Sequence, residues 1–95
     1  MKTYTQQESE SFLSTVDNWI FSDNAIQKKY QFKNFSEALA FIIQVALLSE
    51  KANHHPEILN VYNKVQLRLT THDANGVTEK DFELAKVIFE RIEKK

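Results

Sequence analysis

Between positions 38 and 48 the chain is apolar at every residue but Gln44, and this stretch limits what a protein of 95 residues can fold into. Ser36 is a good N-cap for a helix covering residues 37 to about 53. On that helix Leu39, Ile42, Val45 and Ala46 make one stripe, while Phe41, Ile43, Leu47 and Leu48 cover much of the remaining surface. A helix lying on one side of a small sheet buries only one stripe. The rest would stand as an exposed apolar patch, which usually marks an interface. The expectation is therefore a homodimer or homotetramer assembled through this helix and a sheet edge. The alternative, a central helix wrapped by the rest of a monomer, asks much of a chain with so little surface to bury. The run falls well short of the roughly 20 residues that a membrane span needs.

The remaining segments supply the sheet. Thr5-Gln6-Gln7-Glu8 has the pattern of a capping box. Phe12, Leu13, Val16, Trp19 and Ile20 follow at helical spacing, predicting a first helix that ends near 17–19. From 26 to 32 the period changes to two, with Ile26, Lys28, Tyr30 and Phe32 on one face. That is a strand, paired through Asp23-Asn24 with a short one near 19–22. Pro56 ends the long helix and holds His55 extended. Residues 58–62 and 65–71 read as two strands joined at Asn63-Lys64, with Val65, Leu67 and Leu69 on the buried side and His72 in parity with the polar set. Thr78-Glu79-Lys80-Asp81 opens a last helix with a cap and an acidic first turn, and Phe82, Leu84, Ala85, Ile88, Phe89 and Ile92 give it an apolar face. The terminal charges Glu90-Arg91 and Glu93-Lys94-Lys95 read as solvated helix. The predicted fold is one α+β domain over 1–95: a four-stranded antiparallel sheet with three helices packed on one face, in the order α-β-β-α-β-β-α.

Charge and composition exclude several classes of function. A formal net charge of −1 provides no field toward phosphate backbones or anionic lipid, so direct nucleic-acid and membrane binding are not expected. The absence of cysteine removes disulfides, thiolate zinc sites and thiol catalysis. Met1-Lys2-Thr3-Tyr4 begins no secretory signal, so a cytoplasmic protein is the expectation.

Chemistry concentrates on the three histidines, all next to irregular backbone: His54 and His55 at a helix end, His72 just past a strand. Glu50 and His54 are four residues apart and would share a helix face. A carboxylate there can accept a ring N–H from His54, fixing its tautomer and suiting it to proton donation. The plain reading of that pair is a surface i,i+4 contact. Asp73 could orient His72 or bond the backbone of its own turn. A His-His-His-Glu metal site is conceivable, but adjacent His54 and His55 do not readily aim at one ion, and the spacing fits no common metal motif; no metal is expected.

These same residues carry a resemblance. Glu50-Lys51-Ala52-Asn53-His54-His55-Pro56-Glu57, Asn60-Val61-Tyr62-Asn63-Lys64-Val65, Thr71-His72-Asp73 and Gly76-Val77-Thr78 closely resemble the pterin-4a-carbinolamine dehydratases, also known as the dimerisation cofactor of a homeodomain transcription factor. Ile26, Lys28, Tyr30, Phe32 and Phe35 look like that family's strand entering its second helix, so the resemblance runs from Trp19 onward. It implies an α+β oligomer without metal or redox cofactor. The implied reaction dehydrates the carbinolamine left when an aromatic amino acid hydroxylase uses tetrahydropterin. It also implies that His54 and His72 are the general acids, that His55 mainly holds the substrate, and that Glu50 supports the His54 side. Backbone around Asn53, His54, His55 and Pro56 and around Thr70, Thr71, His72 and Asp73 would grip the pterin ring. Two departures stand out: Asn18 where the family usually has Gly, and Ile58 where many members have Trp. The competing reading is an oligomeric adaptor that binds another protein, a role that animal members combine with catalysis. A third is the same chemistry in another pterin pathway.

Overall fold

In a computed structural model that describes residues 1–94, the elements follow the expected α-β-β-α-β-β-α order. They are α1 (Gln6–Leu13), β1 (Ile20–Ser22), β2 (Ala25–Gln31), α2 (Phe35–Ala52), β3 (Glu57–Val61), β4 (Lys64–Leu69) and α3 (Glu79–Ile88), which continues as a π-helical turn over Phe89–Glu93. The four strands form one antiparallel sheet in the order β1-β2-β4-β3, with β1 and β3 at its edges. The helices cover one face. Val65, Leu67 and Leu69 of β4 and Ile26 of β2 meet Phe41 and Val45 of α2 and Leu84, Ala85 and Ile88 of α3 in one core.

Local chemistry sets the boundaries. Thr5 caps α1 in a reciprocal pair with Glu8. The helix then stops at Leu13, not near 17–19. The Ser14 and Thr15 hydroxyls turn back to the carbonyls of Ser11 and Phe12 at 2.8 and 2.7 Å, an alternative to further helical bonding. Val16 and Trp19 are buried all the same, but from the turns that lead into β1. Asn18 has φ 64°, a conformation that glycine takes freely and asparagine tolerates, which explains the exchange at that position. Asp23 and Asn24 both have φ 58°, the positive pair of a type I′ hairpin between β1 and β2.

The cap of α2 is Asn34, not Ser36: its side-chain oxygen accepts the Glu37 amide at 2.9 Å, and the Glu37 carboxylate accepts the Lys33 amide at 2.8 Å. The buried stripe of α2 is Ala38, Phe41, Val45 and Ser49, flanked by half-buried Ile42 and Leu48. Leu39 and Ala46, expected on the core stripe, face outward. Phe35, Leu39, Ile43 and Leu47 instead form an exposed apolar row at four-residue spacing.

The second hairpin turns at Tyr62-Asn63, one residue earlier than expected, because Val61 pairs with Lys64. Asn60 secures it by donating to the carbonyls of Tyr62 and Lys64. Glu93 is not a solvated helix residue. It pairs with the buried Lys28 ammonium and accepts the Tyr30 hydroxyl at 2.9 Å, pinning the end of the last helix to β2. Lys95 lies outside the described residues. No helix among them is long and apolar enough to cross a membrane.

Candidate active site

The C-terminus of α2 places the first two histidines. Asn53 takes the left-handed conformation that closes the helix, its amide bonding the Glu50 carbonyl and the His54 amide bonding the Ser49 carbonyl. This reversal separates neighbouring side chains. His54 turns inward toward α3, while His55 stays exposed.

Both of these imidazoles meet a carboxylate, but His54 does not meet the one expected. Glu50 bonds His55, Oε1 to Nε2 at 2.6 Å. His54 Nε2 lies 2.6 Å from Oδ1 of Asp81, in the first turn of α3. The expected Glu50–His54 pair does not form, because the left-handed step at Asn53 takes His54 off the helix face that Glu50 occupies.

Asp81 is fully buried and bound from several sides. Its Oδ2 accepts the Thr71 hydroxyl at 2.8 Å and the Thr78 amide at 2.9 Å. It stands at the N-terminal turn of α3, where the helix dipole suits a carboxylate. In the sequence alone it reads as part of a cap. The signal was present: Asp81, Leu84, Ala85 and Ile88 share one helical stripe, so the apolar face of α3 begins with a carboxylate. Thr71 likewise continues the buried parity of Val65, Leu67 and Leu69.

Thr71 ties the third histidine to this pair. Its amide and carbonyl exchange bonds with Gly76, and its carbonyl also accepts the Ala74 amide, closing a short 3-10 turn over His72–Ala74. His72 and Asp73 are exposed on that turn, and among the described residues neither side chain makes a hydrogen bond. Thr71, expected among the ring contacts, has both backbone groups engaged and its hydroxyl turned inward. Thr70 bonds the Asn24 carbonyl at 3.1 Å. Half-buried Pro56 leads from His55 into edge strand β3.

A cleft of about 120 Å³ opens beside His54, walled by Ala52, Lys80, Glu83, Leu84 and Val87. A larger hollow of about 420 Å³ lies across the outer sheet face between Lys29, Gln31, Leu59 and Val61; it contains no histidine, so its size does not make it the reactive site. Among the described residues no three His, Cys, Asp or Glu side chains stand together as a metal site.

Comparison with known proteins identifies the family. Residues 2–91 match the family model described as pterin 4 alpha carbinolamine dehydratase. The chain belongs to the pterin-4a-carbinolamine dehydratase family. A relative from Prochlorococcus marinus, provisionally named pterin-4-alpha-carbinolamine dehydratase, is 46% identical over 83 residues, 87% of each chain. One of the same provisional name from Christiangramia forsetii is 39% identical over 93 residues, 98% of this chain and 96% of its own. A crystal structure of a Brucella melitensis protein titled transcriptional coactivator/pterin dehydratase superposes with a TM-score of 0.86 at 41% identity, covering 94% of this chain and 97% of that one. Membership makes the chain a hydro-lyase of the dehydratase class.

Proposed function

We propose that this family member converts 4a-hydroxytetrahydropterin to quinonoid dihydropterin and water in the cytoplasm. The observation that carries the reading is the inward-turned His54, held at 2.6 Å by a buried carboxylate beside an open cleft. The reaction breaks the C4a–O bond and forms a C4a=N5 bond. The hydroxyl needs a proton to leave as water, its bonding electrons leave with it, the N5 lone pair replaces them, and the N5 proton goes to a base. Imidazole can give one proton and take the other near neutral pH, so the reading calls on no cofactor or metal. His54 and His72 serve as the acids, on separate segments that Thr71 links to Asp81. His55, oriented by Glu50, holds the substrate, with the backbone at Asn53, Pro56, Thr70 and Asp73 bordering the ring. The substrate comes from an aromatic amino acid hydroxylase that leaves oxygen on C4a.

The oligomer belongs to the same reading. The exposed row Phe35, Leu39, Ile43 and Leu47 supports helix-to-helix packing between copies, and edge strand β3, with Leu59 and Val61 exposed, supports sheet extension. These faces also support a second reading, a protein-binding module, which the coactivator title of the Brucella protein favours.

The test is dehydration of freshly generated 4a-hydroxytetrahydropterin, followed by absorbance, with the wild type and a His54→Ala/His72→Ala double variant. The wild type accelerates quinonoid formation and the double variant does not. A folded wild type that adds nothing to the spontaneous rate leaves the binding module as the remaining reading.

A further inference from the structure

We infer that Thr71 and Thr78 are positioning residues whose hydroxyls hold the Asp81 carboxylate that sets the tautomer of His54, so that Nδ1 is the nitrogen that exchanges a proton with substrate. The catalytic consequence rests on the dehydratase reading; the tautomer itself does not. Thr71 Oγ1 lies 2.8 Å from Asp81 Oδ2 and 2.7 Å from Thr78 Oγ1, yet it has one proton to give. An ionised carboxylate only accepts, so the Thr71 proton goes to Asp81 and Thr78 must donate to Thr71. The Thr78 oxygen in turn accepts the Lys80 amide at 3.2 Å. Every bond in this buried chain then has one direction.

The direction bears on His54. Asp81 Oδ2 receives both the Thr71 hydroxyl and the Thr78 amide, so that oxygen is held in place. Oδ1 is left for the ring, 2.6 Å from Nε2. Facing an acceptor, Nε2 carries the hydrogen, and in the neutral ring Nδ1 carries the lone pair. Thr71 and Thr78 are themselves buried, which excludes direct contact with a ligand as the reason for their hydroxyls. The helix cap uses two side-chain bonds here, the Lys80 amide donating to Thr78 Oγ1 and the Thr78 amide donating to Asp81 Oδ2, and neither involves the Thr71 hydroxyl. The Thr71 hydroxyl is surplus to both, and its bond to Asp81 is what remains to explain.

The experiment is long-range ¹H–¹⁵N correlation on the full chain at a pH where His54 is neutral, combined with kinetics. The wild type is expected to show a protonated Nε2 and a bare Nδ1 at His54. Near-isosteric Thr71→Val shifts the His54 nitrogens toward a tautomer mixture and leaves those of His55 and His72 in place. It lowers kcat on the order of 10-fold, as loss of an outer partner of a functional histidine does, with KM nearly unchanged. Thr71→Ser restores both. Should Thr71→Val not fold, the wild-type tautomer and the Thr71→Ser variant still decide. An Nδ1–H tautomer in the wild type, or a folded Thr71→Val protein with unmoved His54 resonances or full kcat, overturns the inference. A wild type with the expected tautomer but no dehydration of the carbinolamine sustains the relay and removes the dehydratase reading instead.

Discussion

Two imidazole–carboxylate pairs lie at the end of α2, both at 2.6 Å, and they differ in nearly everything else. The His54 and Asp81 side chains are 12% and 0% exposed; those of His55 and Glu50 are 55% and 76% exposed. Distance alone would rank them equal. In water a charged pair gains little, because solvent screens it and two side chains must be held still. In the interior the same contact is costly to break, since removing one partner leaves the other buried and unpaired. Adjacent residues thus differ in kind: one histidine is mostly buried against a core carboxylate, and its neighbour stands in solvent.

Substitutions separate the two pairs. Asp81→Ala is expected to have the largest effect, on the order of 3–5 kcal/mol in urea unfolding, because it removes the acceptor from His54, Thr71 and the Thr78 amide together. Asp81→Asn should fold better yet lose more function. Thr71 and Thr78 keep its oxygen, so the amide N–H₂ faces His54 and reverses the ring tautomer. Its kcat should then fall by roughly 10²-fold, the low end for a general acid because His72 remains. His54→Ala is expected to match that loss, whereas His55→Ala should act mainly through KM; initial rates over substrate concentration separate the two.

A part-buried contact elsewhere extends the rule. Burial, the negative charge of Glu93 and the bond to it hold the Tyr30 phenol well above its ordinary value of 10.0. A group raised in the folded state contributes stability that is complete below the unfolded value and declines above it. Unfolding free energy should therefore fall as pH climbs past about 10, and Tyr30→Phe should flatten that slope while costing about 1 kcal/mol for the lost bond. Glu50→Gln should be smallest, between nothing and about 1 kcal/mol in stability. An effect at Glu50 as large as at Asp81 would show that the two pairs do not differ in kind.

The fold was legible because its signals are local and redundant. The capping box at Thr5, the cap and acidic turn at Thr78, alternation in β2 and β4, and the apolar length of α2 each point to one element. The misplaced boundaries came from competition that periodicity cannot see: serine and threonine hydroxyls ending α1, and Asn34 capping ahead of Ser36. The histidines were legible by type and neighbourhood. Their partners were not, because the left-handed turn at Asn53 decides which histidine Glu50 meets, and no spacing rule contains that turn. Asp81 lies 27 positions from His54, joined only through the packing of α3 against α2. Its place on an apolar stripe was the one sequence clue.

The most direct test compares wild type, Asp81→Asn and Glu50→Gln in dehydration of freshly generated 4a-hydroxytetrahydropterin, with folding checked by circular dichroism. The account predicts acceleration by the wild type, near-complete loss of the His54 contribution in Asp81→Asn, and a kcat close to wild type in Glu50→Gln. A folded Asp81→Asn protein with wild-type kcat, or a kcat loss in Glu50→Gln that equals it, would contradict the central claim that the buried pair, not the exposed one, performs the proton transfer.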